Sequence, residues 1–415
     1  MNEMLDSEAR RKVVLRVRDL VLKRHVNIGN VDLDRWSKDV DERTQSLLAA
    51  ENDSCFEQGV HNLLAELKSS HADFFPCNRN PIRPEHAIGA TLRSVTLSET
   101  ERWMFLDVFE DSAAARSGIR PGYLLVSVNG VPPVPPEYPT FRFGAEHHLS
   151  IQAPNNTTTQ YVAVIVPERK ATRPRLPFVE PKSLSYRMLI NRIGLVKVAY
   201  FSGMFGIRFS RVLDAAMASL KSQDCDRLII DLRSCIGGSL GFARLVSYMC
   251  PGRIPIGYDI TRKRQRQGYD VAQLPRVPMP SSRAGIIFRL AQYSVRDKSL
   301  VLITQGLGPQ LFHGRIVVLI NEKTSSAGEM AAQFAKVTKL ATLVGEKSAG
   351  LVAGADFFDV GSGYSLFLPV FGCFSASGNY NEGSGVVPDI RVDVDPVRLA
   401  EGTDDQFDKA LEILQ

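Results

Sequence analysis

A serine hydroxyl becomes an effective nucleophile only beside a base, an orienting group and a pair of donors for the oxyanion. The sequence holds one serine at a suitable junction. Ile316 to Ile320 is an apolar run long enough for a strand buried on both faces, Asn321 to Ser325 break it, and Ala327 to Lys336 is rich in helix formers. Ser326 thus stands where a strand hands over to a helix. Such a junction can hold a side chain at the carboxyl edge of a sheet, beside free backbone N–H groups. The same residues also read as plain capping, because Ser326 with Glu329 three positions on makes a capping box. Possible partners lie far away in the chain. Ser70-His71 follows a helical segment and, taken alone, is a surface turn. Ser234-Cys235-Ile236-Gly237-Gly238-Ser239 is a glycine turn after a buried strand, and Glu382 sits in a second glycine-rich loop, 381–389.

The elements that must position these residues follow from periodicity. Residues 1–75 read as helices, with candidates at Val40–Ala50 and Cys55–Leu67. The proline- and charge-rich stretch 77–86 reads as a linker. From 87 to about 170 the pattern is that of strands and tight turns. A second linker is expected over 171–192. After it, buried strands at 193–198, 227–233, 316–320 and 341–344 alternate with helices at 208–220, 240–248 and 326–336, which argues for a mainly parallel sheet with crossover helices. Residues 260–300 show no clean period and read as a loop. A strand at 364–370, a turn-rich connection at 371–379 and a short terminal helix complete the chain.

Composition excludes some function classes. The chain of 415 residues is 44% hydrophobic and 23% charged, with net charge +5, ordinary for a globular protein of two or three domains. The short basic runs Arg10-Arg11-Lys12 and Arg262-Lys263-Arg264 come with no nucleic-acid motif, so no nucleic-acid partner is expected. Six scattered cysteines contain no Cys-x-x-Cys pair, so neither a metal nor a redox cofactor is expected. The N-terminus lacks an uninterrupted apolar run, and no stretch is long enough for a membrane span. A cytoplasmic location is expected, or a periplasmic or secreted one if a leader has been removed.

The run Ser112-Ala-Ala-Ala-Arg-Ser-Gly-Ile-Arg-Pro-Gly-Tyr-Leu-Leu-Val-Ser-Val-Asn-Gly130 resembles a PDZ domain, spanning 87–170. The resemblance implies a groove that accepts an extended peptide, often a free C-terminus, as an added strand. Ile88, Gly89, Ala90 and Thr91 would then form the carboxylate-binding loop and strand.

With this domain before it, the C-terminal block resembles the S41 serine peptidases, which include the C-terminal processing proteases and the tricorn core protease. The carrying pieces are I-G-L-V-K-V, D-L-R-S-C-I-G-G, V-V-L-I-N-E-K-T-S-S-A-G-E, L-V-G-E-K-S-A-G and E-G-S-G-V-V-P-D. The resemblance implies an α/β fold: a ClpP/crotonase-like peptidase core over 193–400, an N-terminal helical segment over 1–86, an inserted PDZ-like domain and a C-terminal helix over 401–415. Processing proteases pair their serine with a lysine after G-E-x-x-x-G. Here that position is Leu351, which takes no proton, and Lys347 lies four residues earlier on the turn. Tricorn-like members use a Ser-His-Ser-Glu tetrad. Their pattern matches Ser326 as nucleophile, His71 as base, Ser70 as bridge and Glu382 as acid. The oxyanion donors it implies are Gly237 or Gly238, with Ala327. The expected function is hydrolysis of peptide bonds in polypeptides through an acyl-enzyme, the PDZ-like domain binding a substrate tail or gating the site. Homo-oligomerisation is possible. The alternative is a catalytically inactive S41-like scaffold that binds peptides.

Overall fold

Strands that bury both faces must be covered on both faces, and the main sheet meets that requirement with helices. The computed structural model describes residues 5–78, 82–97, 99–168, 182–280, 285 and 297–415. The main sheet has six strands in the order Ile390–Arg391, Thr342–Gly345, Arg315–Ile320, Arg227–Asp231, Ile193–Val198 and Leu184–Met188. All pairs are parallel except the last. Along Arg315–Ile320 the side chains alternate. Val317 and Leu319 pack under the terminal helix Asp405–Leu414, with Ala410 and Leu414. Ile316, Val318 and Ile320 face the core shared with helices Ile207–Ser222, Gly241–Ser247 and Ala327–Thr338.

A second sheet closes the far side of that core, contributing Ile256, Leu300 and Leu302. Its main path is Asp73–Pro76, Tyr364–Ser375, Pro255–Thr261, Leu300–Ile303 and Arg276–Pro278, with Gly354–Gly361 also pairing Tyr364–Ser375. Its outer face is covered by the N-terminal helices Ser7–Arg24, Leu33–Leu48 and Asp53–Ala65. These bury Val13, Val17, Trp36, Phe56 and Leu64 against Phe74, Leu366 and Leu368. The residues at the start of the chain are therefore tied to its end, and the strand just after His71 is an edge of this sheet.

Between them the chain forms an antiparallel five-stranded meander from Ala90–Leu97 to Thr159–Ile165. It has its own core around Leu92, Phe105, Phe141 and Ile151.

Four expectations change. Leu184–Met188, expected within a linker, is the edge strand of the main sheet, since its alternating residues pair with Gly194–Val198. Residues 260–280, expected as loop, hold the end of a strand, helix Arg262–Gln267 and strand Arg276–Pro278. The turn expected from 371 is strand up to Ser375, because Gly257–Thr261 pairs with it. The stretch 77–86 includes the short helix Pro84–Ala87, opened by proline at its first position. The linker expected at 171–181 and the loop residues 281–284 and 286–296 lie outside the described residues.

Candidate active site

The turn that carries Ser326 is closed by its own polar residues. Asn321 Oδ1 accepts the N–H groups of Lys323 at 3.0 Å and Ser234 at 2.9 Å. The Thr324 hydroxyl donates to Leu232 O at 2.8 Å and accepts the Asn321 N–H at 3.0 Å. The turn is thereby fixed to the end of the neighbouring strand. Ser326 follows at φ 53° and ψ −118°, half-buried, outside the extended region usual for an N-cap. Its N–H donates to Leu351 O at 2.8 Å and to Glu329 Oε2 at 3.2 Å. The Glu329 arm of the expected capping box therefore forms, on a backbone that capping alone does not require.

The glycine turn lies against this serine. A Cβ on Gly237 would come within 2.6 Å of Ser326 Cβ and 3.2 Å of its Oγ, so a side chain has no room there. One on Gly238 would meet Phe201 O at 2.6 Å. Both residues have positive φ, 85° and 125°, which glycine adopts without penalty. The turn is stitched to 199–201 by Ile236 N–H to Ala199 O and Phe201 N–H to Gly237 O, at 3.0 and 2.9 Å. The Gly237 N–H is directed at the Cys235 sulfur. The N–H groups of Gly238 and Ala327 have no acceptor among the described residues. Of the two glycines left open by the sequence, Gly238 is thus the freer donor.

Ser70, His71 and Glu382 come together across the second sheet. The Ser70 hydroxyl lies 2.7 Å from His71 Nδ1. Glu382 Oε1 accepts the Ser70 backbone N–H at 2.6 Å, and Oε2 accepts those of Val352 and Ala353 at 2.8 and 3.0 Å. Ser70 does join the imidazole to the acid, but the link to Glu382 runs through its main chain. The His71 ring packs on Phe367, centroids 5.4 Å apart. Burial lowers the His71 pKa and the Glu382 charge pulls the other way, with a net shift downward. No hydrogen bond joins Ser326 Oγ to His71 in this structure; the hydroxyl partner of the His71 ring is that of Ser70. Leu351 is 42% exposed and Lys347 is exposed, so neither is buried beside Ser326.

The loop expected to take a peptide carboxylate is engaged internally. The N–H groups of Ile88 and Gly89 both donate to Pro84 O, at 2.9 and 3.0 Å. Ala90 is fully buried, and the Thr91 hydroxyl is 2.8 Å from that of Ser234. Ile88 and Gly89 thus spend their donors on the short helix before them, while Ala90 and Thr91 pair with Val108 and Asp107 of the next strand.

The sequence did not single out Asp259. It lines an otherwise apolar pocket with Phe205, Leu240, Val277, Pro278, Pro280, Leu300 and Leu302. Leu240 is two residues past Gly238, so this pocket adjoins the glycine turn. Burial pushes the Asp259 carboxyl up to about 6, with the Cys373 thiol as its hydrogen-bond partner. The available signal was a charge inside the apolar strand run Ile256 to Ile260. Among the described residues no cluster of His, Cys, Asp or Glu could hold a metal ion, and no helix is long and apolar enough to cross a membrane.

Known proteins share this architecture. Residues 192–392 match the model of peptidase family S41. A protein of Sulfurisphaera tokodaii named as a tricorn-like protease C-terminal subunit is 31% identical over 140 residues, covering 32% of this chain and 16% of that protein. A tricorn protease homolog of Streptomyces coelicolor is 23% identical over 91% of this chain and 30% of its own length. The chain therefore spans less than a third of these curated relatives. Among solved structures, the photosystem II D1 C-terminal processing protease superposes with a TM-score of 0.57 at 16% identity, over 98% of this chain and 97% of that one. The tricorn protease gives 0.52 at 16% identity, over 98% of this chain and 36% of its own. These likenesses show a common mixed α/β fold. The matched residues include the glycine turn, Ser326 and Glu382, and the chain carries a peptidase family S41 domain.

Proposed function

We propose that the chain is a serine peptidase in which Ser326 attacks the peptide carbonyl and His71 manages the proton. The observation that carries this is the Ser70–His71–Glu382 cluster, assembled from residues 312 positions apart. With the Nδ1 proton directed at the Ser70 hydroxyl, the His71 Nε2 lone pair is free to act as base. Ser326 Oγ forms a bond to the carbonyl carbon as its proton passes to Nε2. The carbonyl oxygen becomes an oxyanion, which the N–H groups of Gly238 and Ala327 would receive; one such donor is worth about 3 kcal/mol. The C–N bond then breaks as Nε2 returns the proton to the leaving amine, and water repeats the sequence on the acyl-enzyme. The inserted sheet, resembling a PDZ domain, would gate access or hold the polypeptide by a surface other than the occupied loop at Ile88–Thr91.

Cleavage of a mixed peptide library by wild type and by Ser326→Ala, His71→Ala and Lys347→Ala tests this directly. Ser326→Ala and His71→Ala should each remove turnover, a loss of about 10⁴-fold or more, while Lys347→Ala retains it. Loss in Lys347→Ala with full activity in His71→Ala would point to a lysine base and refute the tetrad.

A further inference from the structure

Glu329 is wholly buried, 0% exposed, and has no ion pair among the described residues. Such a carboxylate is costly unless its lone pairs are used by donors. Here four donors use them. Oε1 accepts the Ser348 hydroxyl at 2.6 Å and the Gly350 N–H at 2.7 Å. Oε2 accepts the Leu351 N–H at 2.7 Å and the Ser326 N–H at 3.2 Å. A capping box needs only the bond to Ser326. The other three come from a loop 19 to 22 residues further on.

That loop leads to the acid. The Ser348 hydroxyl oxygen accepts the Val386 N–H at 2.6 Å. Gly350 O accepts the Gly383 N–H at 2.8 Å, next to Glu382. Leu351 O takes the Ser326 N–H at 2.8 Å, and Val352 and Ala353 donate to Glu382. One carboxylate thus ties the nucleophile's turn to residues 348–351, and through them to the group that orients His71. The backbone of Ser326 is in a region that side-chain-bearing residues occupy only when the surroundings over-determine it. Glu329 is part of what over-determines it.

On the reading that Ser326 is the nucleophile, we propose that Glu329 is a positioning residue. Its ionised carboxylate locks the strained Ser326 turn in register with the loop of Glu382, without touching substrate. A protonated Glu329 would point an O–H at a donor and break one of the four bonds. Burial raises its pKa and the four donors lower it, with burial prevailing. Its protonation therefore belongs to the loss of activity in acid.

Glu329→Gln keeps the volume but turns an NH₂ group toward donors. Wild type, Ser326→Ala, Glu329→Gln and Ser348→Ala are compared by fluorophosphonate labelling, by peptide kinetics against pH, and by amide exchange at 326, 350 and 351. Folding is checked by circular dichroism. Folded Glu329→Gln should lose about 100-fold in kcat with KM little changed, label more slowly, and exchange faster at those three amides. Ser348→Ala removes one donor, so the carboxylate is less stabilised and the acid limb of kcat/KM should move to higher pH. A folded Glu329→Gln with wild-type kcat, or a Ser348→Ala profile with an unmoved acid limb, overturns the inference. If Glu329→Gln does not fold, Ser348→Ala decides alone. Equal labelling and turnover in wild type and Ser326→Ala would overturn the peptidase reading itself, and the positioning role with it.

Discussion

Ser326 and His71 both have positive φ, 53° and 62°. For residues other than glycine such conformations cost of the order of 1–3 kcal/mol and persist where neighbours impose them. The neighbours are identifiable at Ser326: Asn321, Thr324, Leu351 and Glu329 each fix part of the turn. At His71 the Ser70 hydroxyl holds one side of the ring and Phe367 packs against it. Burial outweighs the pull of Glu382, so His71 lies below its ordinary 6.5. The neutral imidazole is the base, so kcat/KM should be level above that pKa and fall at least tenfold per pH unit below it, more steeply where Glu329 is protonated as well. The acid limb should therefore lie under pH 6.5. Glu382→Gln removes the only raising influence and should push the limb lower while reducing the rate. A wild-type limb well above 6.5, or a limb that Glu382→Gln raises, would contradict the assignment of His71 as base.

At the scale of elements, legibility in the sequence tracked where each strand's partners lie. Arg315–Ile320 and Arg227–Asp231 were readable because residues 316–320 and 228–230 are apolar without a break, as burial on both faces requires. Gly354–Gly361 was not, because most of its residues are only partly covered and its place depends on pairing with Tyr364–Ser375. Ser70-His71 looked like any turn until distant partners were considered. Its delivery to the site depends on Asp73–Pro76 joining Tyr364–Phe367 as an edge strand, a contact that no local pattern encodes. The wider bonds of Glu329 were hidden for the same reason. The N-terminal helices carry a titratable weakness as well. His25 is 1% exposed, neither ring nitrogen has a hydrogen-bond partner among the described residues, and burial with the Arg262 charge lowers its pKa to about 4. The unfolded chain binds this proton near pH 6.5 and the folded chain only near pH 4. The stability is therefore complete above about 6.5 and is lost as pH falls to about 4, a change of roughly 3 kcal/mol. Urea unfolding of wild type and His25→Phe across that range should show a shallower decline in the variant; parallel declines would mean that other groups govern it.

Across the whole molecule, the inserted sheet touches the flanks of both turns that make the site. Thr91 meets Ser234, three residues before Gly237. Tyr138 accepts the Lys323 ammonium at 2.8 Å, and Lys323 is three residues before Ser326. Arg93 binds both oxygens of Glu346, at 3.1 and 2.5 Å, and also pairs with Glu322. Its side chain is only 13% exposed, so its removal leaves two carboxylates facing each other with little water to screen them. Breaking such a pair costs about 3 kcal/mol, and less here because Glu322 is partly solvated. Arg93→Ala should therefore destabilise the protein by about 2 kcal/mol in urea unfolding, and lower kcat more than KM, since the Ser326 turn at Glu322 and the loop at Glu346 lose a brace that substrate does not contact. Adding Glu346→Gln to Arg93→Ala should recover part of both losses by removing the stranded charge. If Arg93→Ala lost stability but kept full kcat, the sheet would serve only to hold the fold, and access to Ser326 would have to be controlled from elsewhere.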